Sequence, residues 1–291
     1  MIYRNCSILD ILLLLLLCTP LDTNRVKRLS TPDCDDETHK VEKYVVSIRS
    51  KRPQIMFGDN HFCVGTVVAP KFVLTTAKCT MSDRKVMHLT RSMVVVGGTP
   101  NRLIEVPDTT IRSVSRIYVP KTFLSENTDN IALLLLVHRW PTNNPSIDII
   151  NLPTAEPNYD SVYMVLGWGR FFKGGPLAGN LMHIYVKLIE REKCQEIVPK
   201  LQPDMLCAGN ESEPVDVHPC AGDNGGPMIV NETIYGLVSY RLGCGQVSMP
   251  SVYTDVWYHM DWINDIIQNS CPAKLKLPML ALIMLSVWQT V

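Results

Sequence analysis

From residue 43 onward the apolar positions come in short bursts, not in the long stripes of helices. Residues 44–48 read as a strand, residues 61–68 and 72–79 as a strand pair, and 94–98 and 111–118 as two more. Residues 128–134 close this first set. A connector rich in Pro and Asn, residues 141–159, separates it from a second set that opens at 162–168 and continues at 183–190. Near the end the spacing changes. Val256, Met260, Ile263 and Ile267 recur at helical intervals behind Asp255, a residue suited to an N-cap, which predicts a helix over 256–269. Short strands separated by turn residues make the chain all-β and fit Greek-key barrels.

Two further segments lie outside this pattern. Residues 8–17 are apolar except Asp10 and come after Arg4, so residues 1–20 read as a signal peptide, with an uncleaved signal anchor as the alternative. Residues 271–291 form a C-terminal tail in which 272–278 carries two lysines and 279–288 is apolar except Ser286. Small residues before it suggest a signal for a GPI anchor; a tail docked on the body, on a partner or at a membrane is the other reading.

Charge narrows the partners. The 291 residues carry 28 Lys and Arg against 28 Asp and Glu, so nothing here makes an electrostatic case for nucleic acid. Of ten cysteines, Cys6 and Cys18 fall in the signal segment. The eight that remain are an even count in an exported chain, which reads as disulfides. With no Cys-x-x-Cys pair and seven scattered histidines, neither a zinc site nor any cofactor is expected. Asn210 and Asn231 head glycosylation sequons.

The chemistry centres on Cys220-Ala221-Gly222-Asp223-Asn224-Gly225-Gly226-Pro227. Its glycines and proline describe a tight, fixed loop, which by itself is either an anion cradle or an ordinary turn. Leu166-Gly167-Trp168-Gly169 precedes it, and Gly236-Leu237-Val238-Ser239-Tyr240 and Pro250-Ser251-Val252-Tyr253-Thr254 come after it. In this order, over about residues 43–269, these motifs resemble the chymotrypsin/trypsin family of serine proteases, whose loop reads Gly-Asp-Ser-Gly-Gly-Pro. The resemblance implies two six-stranded antiparallel Greek-key barrels, about 43–140 and 155–255, with a C-terminal helix. It also implies disulfides Cys63–Cys79, Cys194–Cys207 and Cys220–Cys244. Cys34 and Cys271 are left over, to pair with each other or with another chain.

The resemblance also locates a disabled site. Lys78, in Thr75-Thr76-Ala77-Lys78-Cys79, stands for the family's base histidine, and Asn224 for its nucleophilic serine. The orienting acid is read as Asp129, with Lys78 as its ion-pair partner and Asn224 bonded to that lysine. Backbone N–H groups of Gly222 and Asn224 are the remnant of an oxyanion hole. His218 falls at the base of the specificity pocket, where trypsin-like enzymes carry an aspartate, and Arg241 and Ser251 fall at its wall glycines. Tyr240 replaces a tryptophan, and Ser239, which supports the acid in the family, is kept. Residues 21–42 form an arm whose basic run, Arg25-Val26-Lys27-Arg28, reads as a processing site, with a solvated basic stretch as the alternative. The residues after Arg28 lack the family's Ile-Val-Gly-Gly terminus, so Asp223 needs a partner other than a new amine.

An inactive homologue is therefore expected, a secreted binding protein. Such members, notably in insects, act as cofactors, decoys or adhesion factors in extracellular protease cascades, or in reproductive secretions. Its partners would be other secreted proteins, active serine proteases or their substrates, with a membrane role only through a GPI anchor. The rival readings are an unusual serine-type endopeptidase and a GPI-anchored adhesion or receptor protein.

Overall fold

The computed structural model describes residues 40–82, 84–126, 128–209, 218–241 and 250–270. The expectations for the signal segment, the basic processing site, Cys34, Asn210, Cys244, Cys271 and the apolar tail lie outside these residues.

Twelve strands form two closed barrels, as the resemblance implies. The first uses β1 (Val45–Ser50), β2 (His61–Ala69), β3 (Phe72–Thr75), β4 (Met93–Gly97), β5 (Thr110–Tyr118) and β6 (Ala132–Leu136). Its antiparallel order is β1-β2-β3-β6-β5-β4, with β4 returning to β1. The second uses β7 (Val162–Gly167), β8 (Met182–Leu188), β9 (Met205–Gly209), β10 (Pro227–Val230), β11 (Thr233–Arg241) and β12 (Ser251–Asp255). Its order is β7-β8-β9-β12-β11-β10, and β10 closes on β7. Full closure leaves neither sheet an open edge.

The burial explains why strict alternation is weak in the sequence. Along β1, Val46 and Ile48 point into the first barrel's core with Val67, Val73 and Leu134. Val45, on the opposite face, is buried as well, in a seam shared with Leu166, Trp168 and Leu237 of the second barrel. Tyr163, Ile184, Val186 and Tyr253 fill the second barrel. Strands covered on both faces read as nearly continuous apolar runs.

Helices α1 (Lys121–Glu126), α2 (Arg191–Ile197) and α3 (Met260–Ser270) flank the barrels. The C-terminal helix starts at Met260, four residues later than its apolar spacing suggests. Val256 belongs to the sheet side of the turn, its N–H donating to Tyr235 O at 2.9 Å. Asp255 caps that turn and not the helix, its Oδ1 accepting the Tyr258 N–H at 3.2 Å. Ile263 is fully buried, and Met260, Trp262, Ile266 and Ile267 pack on the interbarrel seam. Helix α2 follows β8. Cys194 in its middle is bonded to Cys207 of β9, which turns the chain back onto the barrel. Cys63 is bonded to Cys79, and Cys220 is disulfide-bonded too. Among the described residues no helix is long and apolar enough to cross a membrane.

Candidate functional site

The loop before β10 is built around a buried carboxylate. Asp223 is 1 % exposed. Its Oδ1 accepts the Gly169 N–H at 2.6 Å and its Oδ2 the Cys220 N–H at 2.7 Å. Two backbone donors thus answer part of its cost of burial. The carboxylate approaches Gly167 and Gly169 so closely that a Cβ on either would fall 2.0 Å from an oxygen. The glycines of Leu166-Gly167-Trp168-Gly169 are therefore required by this contact. Beyond Asp223, Gly225 takes φ +79° and leaves no room for a Cβ against Thr75 and the Val64 carbonyl. The loop is pinned to both barrels. Val64 N–H donates to Asn224 O at 2.8 Å, and Gly225 N–H donates to Val238 O at 2.9 Å.

One peptide earlier, Ala221 O accepts the Arg170 N–H at 2.8 Å, so the trans peptide turns the Gly222 N–H to the opposite side. The Gly222 carbonyl meets His61 Nε2 at 3.1 Å. His61 Nδ1 in turn lies 2.8 Å from Ser47 Oγ, which accepts the Arg49 Nε–H at 2.9 Å. A consistent chain results: Arg49 donates to Ser47, Ser47 to His61 Nδ1, and His61 Nε2–H to the carbonyl. Burial pushes the His61 imidazole down to about 3, with the nearby Arg102 and Arg49 guanidinium charges adding to the effect. It is therefore neutral, as this chain of donors requires. The relay escapes sequence reasoning, because no local motif marks it.

Across the cleft, the residue that meets Lys78 is Asn130. Its Oδ1 accepts the Lys78 backbone N–H at 3.0 Å, and its Nδ2 donates to Ser239 Oγ at 2.7 Å. Asn130 is 1 % exposed. The assignment of the orienting acid to Asp129 is thus corrected by one residue: the side chain that Ser239 supports is an amide. Asp129 has φ +56°, and this left-handed turn sends its carboxylate away from the cleft. It accepts the Thr122 hydroxyl and lies 3.8 Å from His259 Nε2. The expected Lys78–Asp129 ion pair is therefore not formed, and Lys78 is exposed. Nor does Asn224 bond that lysine through its carbonyl: Asn224 Oδ1 is buried and has no hydrogen-bond partner.

The pocket residues are brought together at the other side of the loop. His218 Nδ1 and Ser251 Oγ share a hydrogen bond of 3.1 Å, and both residues are buried. Arg241 and Ser251 are partners in the β11–β12 ladder. Asn231 lies at the β10–β11 turn, where a sequon is accessible.

The family model for trypsin matches residues 34–263. The chain belongs to the trypsin family. A snake venom serine protease, Haly-2, from Gloydius brevicauda is 31 % identical over 229 residues, which cover 77 % of this chain and 84 % of that protein. The trypsin of Squalus acanthias is 28 % identical, over 72 % of this chain and 87 % of the enzyme. Among solved structures, human heparin binding protein superposes with a TM-score of 0.67 at 24 % identity, covering 85 % of this chain and 98 % of its own, a likeness of fold.

The trypsin family's serine, histidine and aspartate divide the labour of attack, proton transfer and orientation.

Proposed function

We propose that this chain is a non-catalytic member of the trypsin family, exported and acting by binding other secreted proteins. One observation supports the reading: Lys78 is bonded to Asn130 and Asn224 lies in the loop anchored to both barrels, and we assign these three residues to the places of the family's base, acid and nucleophile. An amide nitrogen is not a nucleophile at neutral pH, and Asn224 offers neither hydroxyl nor thiol. Asn130 carries no charge to stabilise a protonated base. Loss of a single member of such a unit costs up to about 10⁶-fold in kcat, and the losses do not add. Backbone donors and binding alone leave roughly 10³–10⁴ over water.

The scaffold around the centre argues for retained use. The loop keeps its disulfide at Cys220, its buried Asp223 and its anchors to both barrels. A protein surface held this rigidly binds a partner at low cost in ordering entropy. The disulfides and the relatives named from snake venom support an extracellular setting. The partner class is a secreted protease or a protease substrate, in a cascade or in reproductive secretions.

The test is a fluorophosphonate probe together with a panel of fluorogenic peptides, applied to native protein. No adduct and no turnover are expected. Labelling of the native chain that vanishes on denaturation would overturn the reading.

A further inference from the structure

The turn that carries Asp129 away from the cleft delivers it to a second cluster. Asp129 precedes β6 of the first barrel, Asp204 precedes β9 of the second, and His259 stands one residue before α3. Far apart in sequence, they place one ligand atom each within 4.8 Å of one another. His259 Nε2 lies 3.8 Å from Asp129 Oδ1 and 4.0 Å from Asp204 Oδ2. That nitrogen is buried and has no hydrogen-bond partner, on a side chain only 5 % exposed. It is aimed into the space between two carboxylates and makes no bond there. A buried polar atom left so calls for a ligand.

We propose that Asp129, Asp204 and His259 bind one divalent zinc-class cation. One imidazole nitrogen and two carboxylate oxygens are a donor set suited to zinc, which takes tetrahedral ligands at about 2.0–2.2 Å. Such bonds set ligands roughly 3.3–3.6 Å apart, so the two distances from His259, 3.8 and 4.0 Å, need to contract by only a few tenths of an ångström. Asp129 is 19 % exposed, which opens one side to a water as fourth ligand. A cation would also offset the mutual repulsion of Asp129 and Asp204, whose own oxygen already holds the Asp129 N–H at 2.7 Å. The site straddles both barrels and the C-terminal helix, next to Asn130, so the ion would clamp the interbarrel seam behind the cleft. Because it rests on none of the cleft residues, it stands whether or not the chain is catalytic.

The experiment uses the untagged, full-length secreted protein after chelator treatment. Zinc binding is measured by dialysis and elemental analysis, cobalt by its visible spectrum, and stability by thermal melting. About one zinc per chain is expected, with tetrahedral cobalt absorption. At a hundredfold excess over the dissociation constant, the melting temperature should rise by roughly 5–10 °C. His259→Gln and Asp204→Asn should remove both effects while each variant keeps its native circular dichroism. If one variant fails to fold, the other and Asp129→Asn carry the comparison. Absence of stoichiometric zinc in the parent, or equal zinc binding in folded variants, would overturn the proposal.

Discussion

Asn130 shows how much one side chain decides. An aspartate there would accept from both the Lys78 N–H and the Ser239 hydroxyl. The amide accepts from the first through Oδ1 and donates to the second through Nδ2. The scaffold's two contacts survive, and the charge that would hold a protonated base does not. Restoring a hydroxyl at Asn224 alone should therefore fail. Asn224→Ser should hydrolyse fluorogenic peptides no faster than the parent, since lysine and amide still stand behind it. Only the combination with Lys78→His and Asn130→Asp should produce labelling by fluorophosphonate. Even that variant should turn over Arg and Lys peptides poorly if, as proposed, His218, bonded to Ser251, stands at the pocket base. The Lys78 side chain is exposed, and its backbone carries its link to Asn130. Lys78→Ala keeps the N–H that Asn130 accepts, and exposed charges are worth about 0–1 kcal/mol, so calorimetry should find its stability within that range of the parent.

At the scale of elements, the first barrel reaches the second through a loop held by a buried arginine. Arg102, 5 % exposed, donates to Gly58 O at 2.6 Å in its own barrel, and to Ala178 O at 2.7 Å and Leu177 O at 3.3 Å in the other. Trp168 Nε1–H closes the same junction on Pro100 O at 2.9 Å. Burial depresses the Arg102 guanidinium below its usual range, partly offset by Asp59. Arg102→Ala takes a donor from three carbonyls, of which Gly58 O keeps the His61 N–H at 3.4 Å. At about 1–3 kcal/mol for an unsatisfied buried group, a loss of several kcal/mol is expected, read as a drop of roughly 5–10 °C in melting temperature. Nothing in the sequence marks Arg102, because a surface arginine has the same letter. The strands were legible, since apolar bursts between turn residues survive any detail of packing. The loop around Asp223 was legible too, because its glycines are demanded by contact distances. The acid position was not. Asp129 and Asn130 are adjacent, and the letters favour the carboxylate. Only the left-handed turn at Asp129, φ +56°, decides which of the two faces Lys78. The start of α3 was hidden for a similar reason: Val256 fits the helical spacing but spends its N–H on Tyr235.

At the scale of the molecule, the barrels meet through a histidine that must stay neutral. His61 links Ser47 of β1 to the Gly222 carbonyl of the loop before β10. Protonation would place a second donor against Ser47, whose oxygen already accepts from Arg49. Its folded pKa, about 3, lies below the value of 6.5 for an unfolded chain. The unfolded state therefore takes up the proton first. The stabilisation is complete above about pH 6.5 and is lost as the pH falls toward 3. At pH 5 this single group removes on the order of 2 kcal/mol. His259, lowered to about 4 by burial, acts in the same direction. Asp255, raised to about 6 by burial, opposes them, because its folded form gains a proton between about 6 and 4. Asp204 is raised too and opposes as well. The single-histidine effect is isolated by comparing His61→Gln with the parent across pH 7 to 5 in chemical denaturation. Glutamine can accept from Ser47 or donate to Gly222, and it cannot titrate. The variant should be less stable than the parent at pH 7, and its stability should fall less steeply toward pH 5. Parallel slopes for the two proteins would show that His61 is not held neutral by the seam, and that the acid sensitivity of the molecule arises elsewhere.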